Sequence, residues 1–311
     1  MKICVTGGAG FLGSHLVDAL IERGDTVIII DHLKKDKPRF INKKAVVKDY
    51  AISDERLASF FEEEQPDAVV HLAAQISVSA SVEDPLKDAR TNIIDSLKLL
   101  EHLRPLKGVR FIFASSGGAI YGDTKIVPTP ELKDVAPISP YGISKQAFEY
   151  YLESMHVTHG LSYFCARFSN LYGPRQLVTP GGEGALIPIL IKKIIKEETV
   201  SIFGDGSASR DFLYISDAVN ALMAAVDSDV NGTANIASGK EVTVLEAWEV
   251  VQKIHGSNGN VEYLPKREGD IHRSLLDSSR AMELLNWESQ TSFEDGVRNI
   301  YDWQKENLSI L

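Results

Sequence analysis

Tyr141 and Lys145 stand four residues apart in Ser139-Pro140-Tyr141-Gly142-Ile143-Ser144-Lys145. On a helix that spacing puts both side chains on one face. A phenol beside an ammonium can serve as a general base. A free phenol has a pKa near 10, so work at neutral pH needs a depression of roughly 3 units, about 4 kcal/mol. One cation about 5 Å away at an effective dielectric near 20 supplies about 3 kcal/mol. Lys145 alone falls short, and a second positive charge is required. The same spacing recurs at Tyr121–Lys125 and Tyr301–Lys305. The first crosses Gly122-Asp123-Thr124, a turn that misaligns the pair. The second lies in an amphipathic C-terminal stretch where Tyr301 and Trp303 suit packing. Only Tyr141 combines a helix start with a position one loop beyond a β run, so catalysis outweighs packing there.

A source for the second charge lies at the opposite end of the chain. Residues 6–13 read Thr-Gly-Gly-Ala-Gly-Phe-Leu-Gly and follow the apolar run Ile3-Cys4-Val5. This is a strand emptying into a glycine turn that opens a helix near 11–23. A diphosphate approaches closely only where there is no Cβ, and the helix aims unpaired N–H groups and a positive dipole end at it. A second β run, Thr26 to Ile30, ends at Asp31, where a carboxylate about 20 residues beyond the loop would hold the adenosine ribose. A carboxylate there repels a 2′-phosphate, so NAD is expected rather than NADP. The competing view is an αβ turn with no ligand. With NAD⁺ bound, the nicotinamide ring adds the missing charge, and Tyr141 becomes a base mainly in that state.

Two further constellations bear on a ligand. The run Phe111-Ile-Phe-Ala-Ser115-Ser116-Gly117-Gly118-Ala119-Ile-Tyr121-Gly122 is a strand ending in hydroxyls and glycines. Its serines suit hydrogen bonds to nicotinamide or sugar, and equally suit capping of a turn. Arg210 and Arg267 lie in the second half, and arginine forks grip diphosphates in a bidentate manner.

These residues need a frame to bring them together. The 311-residue chain has an ordinary globular composition and ample length for a core. Apolar β runs at 2–6, 26–31, 45–48, 67–73, 109–115 and 161–168 alternate with helical patterns near 11–23, 54–65, 85–104 and 141–158. That rhythm predicts a Rossmann-type, doubly wound parallel sheet of the α/β class. After about residue 170 the rhythm breaks into a smaller C-terminal lobe over the carboxyl edge of the sheet. Residues 1–168, with about 211–240 returning through a helix at 217–226 and a strand at 233–237, are assigned to the NAD-binding domain. Residues 169–210 and 241–311 form the smaller, substrate-binding lobe. Surplus apolar residues at Ile93, Ile94, Leu97, Leu99, Leu100 and Leu103, with Phe148, Tyr151 and Leu152, predict a homodimer through the helices near 85–104 and 141–158.

Lys+Arg 33 against Asp+Glu 43 gives a net charge of −10, which disfavours nucleic acid and anionic membrane as partners. Cys4 and Cys165 read as core residues in a reducing compartment. No histidine spacing suits a metal, no leader or membrane-length apolar stretch is evident, and a cytoplasmic protein is expected. Lys34, Lys35 and Lys37 form a small solvated basic cluster.

With these residues in view, the chain resembles the extended short-chain dehydrogenases/reductases, and most of all the UDP-glucose 4-epimerases, over nearly its whole length. The likeness rests on TGGAGFLG at 6–13, Asp31, Asp49-Tyr50, His71-Leu-Ala-Ala-Gln75, Asn92, SSGGAIYG at 115–122 and YGISK at 141–145. It continues through Arg167-Phe-Ser-Asn170-Leu-Tyr-Gly-Pro-Arg175-Gln176, Arg210-Asp211-Phe and Arg267-x-Gly-Asp270. The resemblance implies a bound NAD in a closed cycle. Tyr141 takes the sugar 4-hydroxyl proton while the C4 hydride leaves, the 4-keto sugar turns over, and the hydride returns to the other face. Lys145 would hold the nicotinamide ribose, Asp31 the adenosine ribose and Asp49 the adenine amino group. Further cofactor contacts are implied for Gly7, Gly10, Phe11, Leu12, Gly13, His32, Tyr50, Leu72, Ala73, Ala74, Asn92, Ser115 and Phe168. Asn170, Arg210 and Arg267 would secure the diphosphate and Asp270 the uridine ribose, with Gly117, Leu186, Phe203 and Ser274 also lining the substrate.

The chain departs from the family in three places. Gly117 stands where many members carry a Ser or Thr that bonds the sugar 4-oxygen, so Ser116 or a water substitutes, or Tyr141 acts without a helper. Gly118-Ala119 lacks the acid of the nucleotide-sugar dehydratases and decarboxylases. Ser274, where strict glucose/galactose epimerases tend to carry a bulky residue, leaves space for an N-acetyl group. The reading is an NAD-dependent C4 epimerase of UDP-glucose/UDP-galactose that extends to UDP-N-acetylglucosamine. Its rivals are a reductase or dehydratase on the same fold, and a non-catalytic dinucleotide-binding regulator.

Overall fold

The computed structural model describes residues 1–32, 40–131, 135–177, 185–266 and 271–307. The first half runs β1 (Lys2–Thr6), α1 (Phe11–Arg23), β2 (Thr26–Ile30), β3 (Val46–Lys48), α2 (Arg56–Glu64) and β4 (Ala68–His71). Two short helices follow, α3 (Val78–Glu83) and α4 (Pro85–Ala89), then a π-helical turn at Arg90–Asp95 and α5 (Ser96–Leu103). Next come β5 (Arg110–Ser116), α6 (Gly117–Ile120), α7 (Pro140–His159) and β6 (Ser162–Phe168). The second half contains β7 (Asn170–Tyr172), α8 (Leu186–Ile195), β8 (Val200–Phe203), β9 (Ser209–Tyr214), α9 (Ile215–Asp227) and β10 (Gly232–Ile236). It ends with β11 (Glu241–Thr243), α10 (Val244–His255), β12 (Val261–Leu264), β13 (Arg273–Ser274), α11 (Ser279–Leu285) and α12 (Phe293–Glu306).

Seven strands form one parallel sheet in the order β10-β6-β5-β4-β1-β2-β3. The order reverses direction at β1/β4, where doubly wound sheets open a crevice at the carboxyl ends of their strands. The strands are continuous apolar runs because both faces are covered. Val5, Ile29, Ile112 and Phe164 pack on one face with Leu16 of α1 and Leu222 of α9. Cys4, Ile28, Phe111 and Cys165 pack on the other with Phe61 of α2, Leu100 of α5 and Phe148 of α7. The two cysteines are therefore buried free thiols.

The smaller lobe pairs β9 with β7, β11 and β13, and β8 with β12. Its own core joins Ile191 of α8, Trp248 of α10 and Ile300 of α12.

Three expectations change against this frame. Ser209–Tyr214 belongs to the smaller sheet; α9 then packs on the large sheet, which the chain re-enters at β10. Ala281 of α11 and Trp287 pack into the large-sheet core, so the stretch 241–311 is not all in the small lobe. The helical pattern at 85–104 is broken by the π turn. Of the apolar surplus read there and at 141–158, Leu99, Leu100, Leu103, Phe148 and Leu152 are consumed in the core. Ile94 and Tyr151 stay exposed, joined by Ile143 and Tyr150. No helix among the described residues is long and apolar enough to cross a membrane.

Candidate active site

The glycine loop is built as a cradle. Gly7 adopts φ +68°, and a Cβ there would stand 2.8 Å from the amide nitrogen of Ala73. A Cβ on Gly13 would overlap the Gly7 carbonyl oxygen, so the helix can close on the turn only at glycine. Gly10 caps α1 without a side chain. The amides of Phe11, Leu12 and Gly13 lie in the first turn, which has no intrahelical acceptors. The side chains of Phe11 and Leu12 pack against the small-lobe core.

Asp31 ends β2 and accepts the Ala9 amide at 3.0 Å, which fixes its carboxylate beside the loop. His32 and Asp49 are exposed beyond it, 3.7 Å apart, and the Arg56 guanidinium covers the Tyr50 ring at 4.1 Å. On the far side of the crevice the amides of Leu72 and Ala73 bond Thr6 O and Oγ1. Ala74 continues that segment. A loop closed to any Cβ, a row of helix amides and a carboxylate beyond fit a dinucleotide.

Tyr141 enters α7 just after the Ser139 cap, whose Oγ accepts the Gly142 amide. Lys145, one turn on, is buried and donates to Ala114 O at 2.9 Å. Its Nζ lies 5.8 Å from the centre of the Tyr141 ring. The Ser116 side chain lies beside the Tyr141 phenol and eases its ionisation. Burial and the charge of Asp88 push that phenol up to about 12, while Ser116 pulls the other way. Burial lowers Lys145 to about 8, opposed by Asp88 and Glu149.

Three residues read as cofactor contacts have other partners. Ser115 donates to Glu149 Oε1, because alternation along β5 turns it away from the face of Ala114 and Ser116. Asn92 is buried, accepts the Gln75 amide and shares its Nδ2 among Gln75 O, Asp88 Oδ1 and Ser144 Oγ. Phe168 pairs in register with Ser116, but its ring is in the core.

On the opposite wall, the Asn170 Oδ1 lies 3.8 Å from where a Cβ on Gly118 would stand. Arg210 of β9 pairs in register with Ser274 of β13 and donates to Ser209 O at 2.8 Å. Leu276, two residues on, fills the space a side chain on Gly117 would need. Thus one segment runs from Arg210 to the end of the strand carrying Ser116. Leu186 starts α8 and Phe203 ends β8, both half-buried at the rim of the small-lobe core. Arg267 and Asp270, like Lys34, Lys35 and Lys37, lie outside the described residues.

Residues 3–237 match the NAD dependent epimerase/dehydratase family. The chain belongs to that family. As a member it uses NAD. The chain is 39% identical over 305 residues to the putative UDP-glucose 4-epimerase of Methanocaldococcus jannaschii, covering 98% of this chain and 99% of that protein. It superimposes on the UDP-glucose 4-epimerase of Thermotoga maritima, solved with UDP-glucose, with a TM-score of 0.94 and 42% identity, over 99% of this chain and 100% of the other. It is also similar to the UDP-N-acetylglucosamine 4-epimerase of Methanobrevibacter ruminantium, solved with UDP-N-acetylmuramic acid, with a TM-score of 0.92 and 36% identity over 98% of both.

Sequence reading missed what backs this epimerase/dehydratase site. Glu149 pairs with Arg167 at 2.6 Å, both buried. Arg167 also donates to the Tyr121 hydroxyl, which donates to Asn235. Tyr121 is therefore a buried strut, and Tyr301 bonds His255 at 2.9 Å in the small lobe. The signal for Glu149 was present: it stands eight residues after Tyr141, on the face shared with Lys145.

Proposed function

We propose that this chain is a 4-epimerase of UDP-hexoses, interconverting UDP-glucose and UDP-galactose and accepting UDP-N-acetylglucosamine. The observation that carries the reading is the Tyr141 ring 5.8 Å from the buried Lys145 ammonium, at a strand end where Gly118 and Ala119 offer no acid for elimination. When bound, NAD takes up the C4 hydride of the sugar and gives it back.

Tyr141 removes the proton of the sugar 4-hydroxyl and returns it after the ring has turned, with Ser116 in the place of the hydroxyl missing at Gly117. A phenol at about 12 needs roughly 5 units, about 7 kcal/mol, to act at neutral pH. Lys145 is already part of the surroundings that set that value. Tyr141 therefore stays protonated until another positive charge is bound beside it. Arg210 and Asn170 grip the diphosphate, with Arg267, and Asp270 takes the uridine ribose. That distal grip leaves the sugar free to turn. Ser274 stands between Arg210 and Leu276 on the segment lining the sugar, and its small side chain admits an N-acetyl group.

The remaining exposed apolar side chains Ile94, Ile143, Tyr150 and Tyr151 support a homodimer through the helices near 85–104 and 141–158. The deciding experiment supplies UDP-galactose to catalytic amounts of enzyme without added NAD. An epimerase reaches a glucose/galactose mixture; a reductase stalls after one turnover, and a regulator does nothing. Conversion of UDP-glucose with no turnover of UDP-N-acetylglucosamine removes the role given to Ser274.

A further inference from the structure

Asp88 is a buried carboxylate near the tyrosine–lysine pair that the reaction above does not use. It lies on α4 where that helix packs against α7, and it is 1% exposed. Its Oδ1 accepts from Gln75 Nε2 at 2.9 Å and from Asn92 Nδ2 at 3.0 Å. Its Oδ2 is buried with no hydrogen-bond partner. A carboxylate held out of water with an oxygen unmatched costs several kcal/mol unless a positive charge answers it.

The structure supplies the mechanical link and the charge together. Asn92 passes from Asp88 to Ser144 Oγ at 3.2 Å, and Ser144 donates to the main-chain oxygen of Tyr141 at 2.9 Å. The first turn of α7 is thereby tied to α4. Lys145 is the cation across this contact. Its Nζ faces Ala114 O, the Phe113 ring and the Tyr141 ring, and the charges acting on it come from Asp88, Glu149 and Cys165. Glu149 is already neutralised by Arg167 at 2.6 Å. Burial makes the Cys165 thiol a still weaker acid, so it stays neutral. Asp88 is left as the uncompensated negative charge.

We propose that Asp88 is a positioning residue of this site, a buried counter-charge that keeps Lys145 an ammonium while its hydrogen-bond chain through Asn92 and Ser144 fixes the start of α7. Burial drives Lys145 towards neutrality, and Asp88 is the strongest influence opposing it. The same charge discourages ionisation of Tyr141, which keeps the phenol protonated in the resting protein. The inference rests on the reading of Tyr141 as base and Lys145 as its cation.

Asp88→Asn isolates the charge. Asparagine keeps one oxygen for both hydrogen bonds and replaces only the oxygen that has no partner, so a purely structural role predicts little change. The protein is labelled with [13Cε]lysine, and the Lys145 resonance is assigned as the one lost in Lys145→Arg. It should titrate near pH 8 in the unsubstituted chain and roughly one unit lower in Asp88→Asn, the size expected for losing one nearby opposite charge. The alkaline limb of kcat/KM should move down by the same interval. A Lys145 midpoint unmoved in Asp88→Asn overturns the proposal. Absence of epimerase activity instead overturns the functional reading, and the two failures are told apart because the resonance is read in inactive protein too.

Discussion

Leu276 occupies the space that a side chain on Gly117 would need. The two residues behave as one unit of volume at the end of β5, where Leu276 also packs with Ile120, Tyr121 and Ala237. Gly117→Ser alone should overpack the contact and cost about 1–3 kcal/mol, and Leu276→Ala alone should leave a cavity costing about 2–5 kcal/mol. The double variant should be destabilised by clearly less than the sum, which urea unfolding of all four proteins would measure.

Tyr141→Phe should lower kcat by roughly 10²- to 10⁴-fold, the range for losing a general base, and leave UDP binding unchanged. Ser116→Ala should lower kcat by about ten- to a hundredfold through loss of a hydrogen bond to a group that becomes charged. Steady-state kinetics with calorimetric binding of UDP checks both. A Tyr141→Phe protein with full activity removes the mechanism.

His71 should make the protein acid-sensitive. Its Nδ1 bonds Thr6 Oγ1 at 2.7 Å and its Nε2 bonds Ser96 Oγ at 3.0 Å across the β1/β4 crevice. Burial, with Lys145 adding to it, lowers the imidazole to about 3. The unfolded chain takes the proton near 6.5, so stability is intact above that pH and lost as pH falls from 6.5 towards 3. The slope is about 1.4 kcal/mol per unit. Urea unfolding at pH 7 and pH 5 should show the unsubstituted chain losing about 2 kcal/mol more than His71→Gln.

Removing one half of the buried pair behind the site should cost more than removing any surface pair. Glu149→Ala strands the Arg167 guanidinium at 5% exposure and should cost about 3–5 kcal/mol. Arg273→Ala, which breaks the exposed pair with Glu241, should cost under about 1 kcal/mol. Thermal melts of the two variants compare them directly.

The large sheet was legible because its strands are buried on both faces, so Ile3–Val5, Val27–Ile30 and Phe111–Phe113 stand out as unbroken apolar runs. The glycine loop was legible because each glycine answers a steric demand. What escaped reading depends on contacts distant in sequence. The two-residue strand Arg273–Ser274 has no pattern of its own and is defined only by its register with Ser209 and Arg210. Ser115 and Ser116 look alike in sequence, and only the pleat decides that one meets Glu149 and the other Tyr141. The apolar surplus on the helices near 85–104 and 141–158 was over-counted because core and surface positions share one composition.

The π turn at Arg90–Asp95 carries the last consequence. Each residue added to a helix swings everything upstream by about 100° relative to everything downstream. A wider turn spreads such an extra step without breaking the rod. Asp88 and Asn92 can therefore face inward to the reacting groups while Leu99, Leu100 and Leu103 keep their grip on the sheet. Deleting one residue of that turn other than Asn92 would leave the rod whole yet rotate Asp88 away from α7: a folded chain with its tools pointed elsewhere.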